Sequence, residues 1–233
     1  MKKIFCITVS TKYSDILKFI IPQNARFFEK WCIVTDTNDA KTIEVVKNFT
    51  STYPNLVLLF YNYYEHSDKG VVFDKGGAIR CSQLWINEHF PTCEEILIMD
   101  SDIYLPDDFD AILDEITVEQ NTIYGAEKRL DYYSEYNFKN QIVDFDYPWS
   151  NEIHGFFQLY KNTNPEFLYD HSFDARVCDW NFKRFFENKI TIPNLVVSHL
   201  GKAGIHFLGR EDESDFTPMK IYTDEHLKWD KPL

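Results

Sequence analysis

Residues Glu95 to Met99 form a short, almost wholly apolar run that stops at Asp100-Ser101-Asp102. A run this short, rich in Ile and Leu and ending in polar residues, reads as a buried strand rather than a helix. In an open α/β sheet, ligands bind where the strands end, and the run delivers Asp100 and Asp102 there. Side chains alternate along an extended chain, so the two carboxylates are expected on one side with the small Ser101 between them. Such a pair suits a hard divalent cation, Mn²⁺ or Mg²⁺, which takes oxygen ligands. Without a cation the acids repel, raising the pKa of one. An acidic loop, or a helix cap at Asp107 or Asp108, is the plainer alternative.

The preceding chain alternates strand and helix. Ile4 to Val9 is β-branched and apolar, as expected of a first strand. Ser14-Asp15 can cap a helix carrying Ile16, Leu17, Phe19 and Ile20, which Pro22 interrupts or kinks. Ile33 to Thr35 and Leu56 to Phe60 read as further strands, with a helix over Lys41 to Phe49 between them. This order implies parallel strands joined by right-handed crossovers. Phe73 to Arg80, reading FDKGGAIR, then opens a helix with apolar positions at Ile79, Leu84, Trp85 and Phe90. Gly76 and Gly77 allow close backbone approach, exposed N–H groups favour an anion, and Lys75 and Arg80 add positive charge. The G-K-[ST] ending of a Walker A loop is absent.

Beyond Asp102 the pattern weakens. Pro106 and Asp107-Asp108 start a helix to about Ile116, and Thr122 to Ala126 reads as a strand. Arg129 to Pro148 shows no clean period and is expected to be a long loop. Asn151 to Lys161 reads as a strand with Gly155 marking a bulge or close approach to ligand; His154 and Gln158 could there hydrogen-bond that ligand. Asp174 to Asn188 is expected to be a helix burying Val177, Trp180, Phe182, Phe185 and Phe186. A last strand, Ile190 to Val197, leads into Ser198-His199-Leu200-Gly201-Lys202.

Taken in order, these segments resemble the GT-A glycosyltransferases, in particular the compact enzymes of bacteria and large DNA viruses. Asp100-Ser101-Asp102 is similar to their D-x-D motif, Lys75-Gly76-Gly77-Ala78 to a donor-contacting K-G-x-A segment, and His199 to their late metal-binding histidine. The resemblance covers about residues 3 to 208. It implies a three-layer α/β sandwich with a mixed, mostly parallel central sheet flanked by helices. The span 1–233 is then one catalytic domain, or one module of a longer protein. Residues 1–103 form the nucleotide-sugar half, 104–208 the acceptor half, and 209–233 a tail or strap.

By the same resemblance, Asp100, Asp102 and His199 hold Mn²⁺ (or Mg²⁺), with Asp100 and Ser101 also at the donor. Thr8, Ser10 and Asp36 approach the base and ribose, and Lys75, Gly76, Gly77 and Arg80 the diphosphate. Asp179 is the candidate general base, with Asp174 as its alternative, and Lys202 a cation for the leaving group. A UDP-sugar is the expected donor, since Asp36 could accept from uracil N3–H; Asp36 equally suits an Asp that closes a turn. The acceptor is a hydroxyl of a glycan or glycoprotein. Asp179 implies inversion, whereas the histidine-glycine-lysine ending resembles retaining relatives.

Composition excludes other classes. A formal charge of −13 disfavours nonspecific binding to nucleic acid or anionic lipid. No segment approaches the length of a membrane span. An odd count of 5 cysteines without a C-x-x-C pair points to reduced thiols, and the chain is expected in the cytoplasm. Two alternatives stay open. A nucleotidyltransferase would usually place a basic glycine-rich loop where Ser10 to Tyr13 stand. An inactive carbohydrate-binding or scaffold relative would show no metal-dependent donor binding.

Overall fold

A computed structural model describes residues 2–65, 73–148, 153–172, 175–201 and 210. Among these residues nine strands form one sheet: β1 (Ile4–Val9), β2 (Lys30–Thr35), β3 (Leu56–Phe60), β4 (Glu95–Met99), β5 (Ile103–Tyr104), β6 (Thr122–Tyr132), β7 (Phe145–Pro148), β8 (Phe157–Lys161) and β9 (Asn188–Leu200). Their order is β3-β2-β1-β4-β8-β6-β9-β5, with β7 on β6. The first four strands pair in parallel; β8 then runs against β4 and β6, and β9 runs parallel to β6. Among the described residues, β1 to β4, β6 and β9 therefore point one way, so the sheet is mixed but mostly parallel.

Among the described residues six helices accompany it: α1 (Ser14–Asn24), α2 (Ala40–Thr50), α3 (Lys75–His89), α4 (Phe109–Asp114), α5 (Glu135–Lys139) and α6 (Ala175–Phe182). Alternation along the strands divides the core into two layers. Ile4, Cys6, Leu97 and Met99 pack with Ile16, Leu17 and Ile20 of α1. Phe5, Ile7, Ile96 and Ile98 pack instead with Ile79 and Ile86 of α3 and Phe182 of α6. The period-2 pattern of a buried strand and the period-3.6 face of each helix are thus satisfied together. No described helix is long and apolar enough to cross a membrane.

Several expectations need correction. Pro22 does not end α1, which runs on to Asn24, and the cap position is Tyr13 rather than Ser14. Arg129 to Pro148 is not a loop: β6 continues to Tyr132, α5 follows, and β7 returns antiparallel on β6. The strand expected over 151–161 begins only at Phe157, and Gly155 lies in the turn before it. The helix expected over 174–188 stops at Phe182 and tightens into a 3₁₀ turn at Lys183–Phe185, leaving Val177, Trp180 and Phe185 exposed. Leu84 is likewise exposed on α3. All 5 cysteines are free thiols, and only Cys81 is exposed.

Candidate active site

The site lies where β4 ends in the middle of the sheet. The strand stops at Met99, and Asp100-Ser101-Asp102 is a turn into β5, so strand alternation does not orient the two acids. Ser101 pins that turn by donating from Oγ to the Val9 carbonyl at the end of β1, 2.6 Å away. The carboxylates consequently meet different partners. Asp100 Oδ1 accepts from Lys75 Nζ at 2.7 Å, and Asp102 Oδ2 lies 3.4 Å from His199 Nε2.

Lys75 is the first residue of α3, and its ammonium bridges Asp100 and Asp179 Oδ2, the latter at 3.1 Å. Burial works against this charge, but the two carboxylates outweigh it and raise the Lys75 pKa well above its ordinary value. Burial pushes the Asp100 carboxyl up to about 6, with Lys75 pulling down and Asp102 and Asp179 pushing further up. Asp179 Oδ1 lies 3.3 Å from the Tyr169 hydroxyl oxygen. Gly155 packs against Asp179 so closely that a Cβ there would lie 1.7 Å from Oδ2. The close approach that a glycine at this position suggested is to Asp179.

His199 is set by register. On β9 it stands beside Ile103 of β5 and Asp131 of β6, which brings its Nδ1 to 3.3 Å from Asp131 Oδ1. Arg129 Nε holds the same Asp131 oxygen at 2.8 Å. Burial opposes a charged His199, yet Asp102 and Asp131 prevail and raise its pKa to about 9. To serve as a metal ligand His199 has to release that proton. Two carboxylates and one imidazole fit Mn²⁺, or less readily Mg²⁺, in donor chemistry. Among the described residues, however, no group of three His, Cys, Asp or Glu stands ready to hold an ion.

Other expected donor contacts are committed elsewhere. Thr8 is buried, its Oγ1 accepting from the Trp31 indole at 2.9 Å between β1 and β2. Ser10 ends β1 with its N–H on the Val34 carbonyl, and its buried Oγ has no hydrogen-bond partner among the described residues. Asp36 Oδ1 accepts from the N–H and side-chain amide of Asn38, at 2.8 and 3.0 Å, which is the turn-closing geometry. At the N-terminus of α3, Asp74 is the cap and accepts from Gly77 N–H at 2.9 Å, which takes one of the N–H groups that an anion could use. Gly76 is needed because a Cβ would lie 2.0 Å from the Asp170 carbonyl oxygen, so it serves packing rather than an anion cradle. Arg80 donates to the Tyr169 carbonyl at 3.2 Å and pairs with Asp170.

Gln158 is fully buried, receiving the Tyr169 hydroxyl on Oε1 and reaching the Asp179 carbonyl at 3.5 Å, and so presents nothing to a sugar. Burial, with Lys183 and Arg129 nearby, lowers the His154 pKa to about 4, so its imidazole is neutral. Lys202 and Asp174 lie outside the described residues. Sequence reasoning missed Tyr169, Arg129 and Asp131. The last two fall in the stretch without a period, where no spacing signal marks them.

No family model and no curated protein matches the sequence. Solved structures do. The mannosyltransferase PcManGT from Pyrobaculum calidifontis, in complex with GDP-Man and Mn²⁺, matches with a TM-score of 0.58 at 15% identity, over 88% of this chain. This chain spans 59% of that one. The galactosyltransferase LgtC, with donor and acceptor sugar analogues, gives a TM-score of 0.46 at 10% identity, over 80% of this chain and 72% of its own. HddC from Yersinia pseudotuberculosis gives 0.46 at 10% identity, over 80% and 90%. In its sheet and in the mannosyltransferase superposition, the chain has a GT-A glycosyltransferase fold.

Proposed function

We propose that this chain is a glycosyltransferase that moves a sugar from a nucleotide-diphosphate donor to a hydroxyl of a glycan or glycoprotein. Residues 1–103 are assigned to the donor and 104–208 to the acceptor, and the reduced thiols suit a cytoplasmic site of action. The observation that carries the reading is the meeting, at the end of β4, of Asp100, Asp102 and His199 with Lys75 and Asp179. Asp100, Asp102 and His199 are the residues that would hold a divalent cation. Such an ion supplies Lewis-acid neutralisation of diphosphate charge as the sugar–phosphate bond breaks.

The chain's own groups do the rest. Lys75 brings a fixed positive charge to the strand end in a protein of net charge −13, the kind of preorganised electrostatics that stabilises a leaving diphosphate. Asp179 is the base assigned to the acceptor hydroxyl, which must come within about 2.6–3.2 Å of one carboxylate oxygen. Tyr169 and Gly155 fix where that carboxylate points. A UDP-sugar is the first donor to test. GDP-sugars come second, because Asp36 gives one oxygen to Asn38 and the matched mannosyltransferase carries GDP-Man.

The test is thermal unfolding with UDP, GDP and CMP, each in Mn²⁺ and in EDTA. A ligand that binds only the native state raises the midpoint by mass action, by about 2.7 kcal/mol at a hundredfold excess over Kd. The expected result is a rise with UDP and Mn²⁺ that is lost in EDTA and in Asp102→Ala. A rise confined to GDP or CMP replaces the uridine assignment. No rise with any nucleotide, together with no direct Mn²⁺ binding, overturns the reading in favour of a scaffold role.

A further inference from the structure

The position of Lys75 bears on how a cation could enter the site at all. Its backbone has little freedom, since Asp74 caps the turn it starts and Gly76 and Gly77 leave no room for a Cβ beside Asp170, Tyr61 and His171. Only the side chain can move. Its ammonium touches two carboxylates that differ in how firmly they are held. Asp179 is held independently of Lys75 by Gly155 packed on its side chain, with the Tyr169 hydroxyl oxygen, whose proton goes to Gln158 Oε1, 3.3 Å from Oδ1. Asp100 belongs to the turn after β4, and its side chain is 35% exposed against 16% for Asp179. Asp102 and His199 already face each other at 3.4 Å. Asp100 is thus the remaining member of the expected ligand set, and one of its two carboxylate oxygens, Oδ1, carries Lys75.

We infer that Lys75 is a resident cation of the donor site. It occupies Asp100 while no metal is bound, and it moves over to Asp179 when a divalent cation takes Asp100. This rests on the metal-dependent donor reading above. The reason for exchange is electrostatic. A monovalent and a divalent cation on one carboxylate repel strongly where water is scarce, so the ammonium has to yield. Asp179 gives it a partner on leaving, so neither charge is left bare, which would be costly in a buried place. The released N–H can then turn to an anionic diphosphate. Metal and nucleotide therefore assist each other through Lys75, and by linkage the assistance is mutual.

The experiment is calorimetric titration of Mn²⁺ into the EDTA-stripped full chain, as wild type, Lys75→Met and Asp179→Asn, each with and without UDP. Lys75→Met keeps the length of the side chain and removes its charge. It should bind Mn²⁺ at least about tenfold more tightly than wild type, while UDP improves Mn²⁺ binding less than it does in wild type. Asp179→Asn should act in the opposite direction, because Asp100 becomes the only carboxylate left to Lys75 and Mn²⁺ binding weakens.

Wild type that binds Mn²⁺ with Lys75→Met binding no tighter overturns the exchange but leaves the metal site standing. Absence of Mn²⁺ binding in every chain overturns the exchange and the metal reading together. Should Lys75→Met fail to fold, Asp179→Asn decides: Mn²⁺ binding that is unchanged or tighter in it overturns the exchange.

Discussion

The two halves of the sheet bury themselves by different means. From β1 to β4 each strand is apolar toward both layers of helices: Ile4 and Cys6 on one face, Phe5 and Ile7 on the other. From β5 to β9 the strands run partly antiparallel and carry charge inward, with Arg129, Asp131 and His199 all buried along β6 and β9. The first half is held by water exclusion, which is non-directional and proportional to buried area. The second depends on charges that compensate one another, which is directional and fails if one member is lost. The candidate site sits on the seam, drawing Asp100 and Lys75 from the first half and His199, Asp131 and Asp179 from the second.

The largest effect tests the apolar half. Trp31 is fully buried on β2, edge-on to Phe28, with its indole N–H on Thr8. Trp31→Ala should cost about 3–5 kcal/mol in urea unfolding, from lost transfer energy plus the cavity. Next in size is the charged half. Arg129→Met removes one of the two cations beside Asp131, the other being His199, and should cost about 3 kcal/mol by the same measurement. Adding Asp131→Asn to that variant should recover part of the loss, since only the pairing with His199 then misses the carboxylate. If Arg129→Met alone costs under about 1 kcal/mol, the proposed division between the halves is wrong.

The same division explains what could be read from the residues. Strands β1, β3 and β4 are short apolar runs with helices between them, and period and punctuation place each within a residue or two. In β6 the run Glu127-Lys128-Arg129-Leu130-Asp131 looks like loop, because its polar residues are satisfied by partners remote in sequence, such as His199. Aromatic content misleads here: Val177 and Trp180 of α6 keep helical spacing but are exposed, as is Phe185 in the 3₁₀ turn that follows. For the site, the acids and His199 could be named from their order along the chain. Their grouping could not, since it depends on the turn at Asp100 and on the register that sets His199 beside Asp131. Asp74, an acid directly before the helix, is itself a local cap signal beside the two glycines.

Asp74 gives a smaller and pH-dependent test within the first half. Burial alone would raise its pKa, but hydrogen bonds from Tyr61, His171 and the Gly77 N–H prevail and lower it below the usual carboxylate value. A lowered folded-state pKa gives stability that is present above the unfolded value, about 3.9, and is lost as pH falls through the folded one. Asp74→Asn keeps an oxygen for the cap but loses the charge, so it should cost about 1–2 kcal/mol at neutral pH. The gap between wild type and variant should shrink as pH falls below 4. A gap that persists unchanged at pH 3 would mean that the charge of Asp74 contributes nothing.

The smallest effect is the sharpest check on the second half. Trp180 is 50% exposed on α6, with the Lys183 ammonium 3.7 Å and the Arg184 guanidinium 5.9 Å from its ring centre. Phe182, two residues on, is 1% exposed and packs on Tyr160, Tyr169 and Phe186. The two aromatics have similar apolar surface, so sequence alone would rank them together. Trp180→Ala should change stability by no more than about 0.5–1 kcal/mol, the worth of an exposed cation–π contact. Phe182→Ala should cost about 3–5 kcal/mol. It should also loosen Tyr169, and through Tyr169 the hold on Asp179. If Trp180→Ala instead abolishes transfer to an acceptor while stability is unchanged, its exposed ring is part of the acceptor surface. The outward-facing side of α6 would then be explained by what binds there, where packing gives no reason for an aromatic.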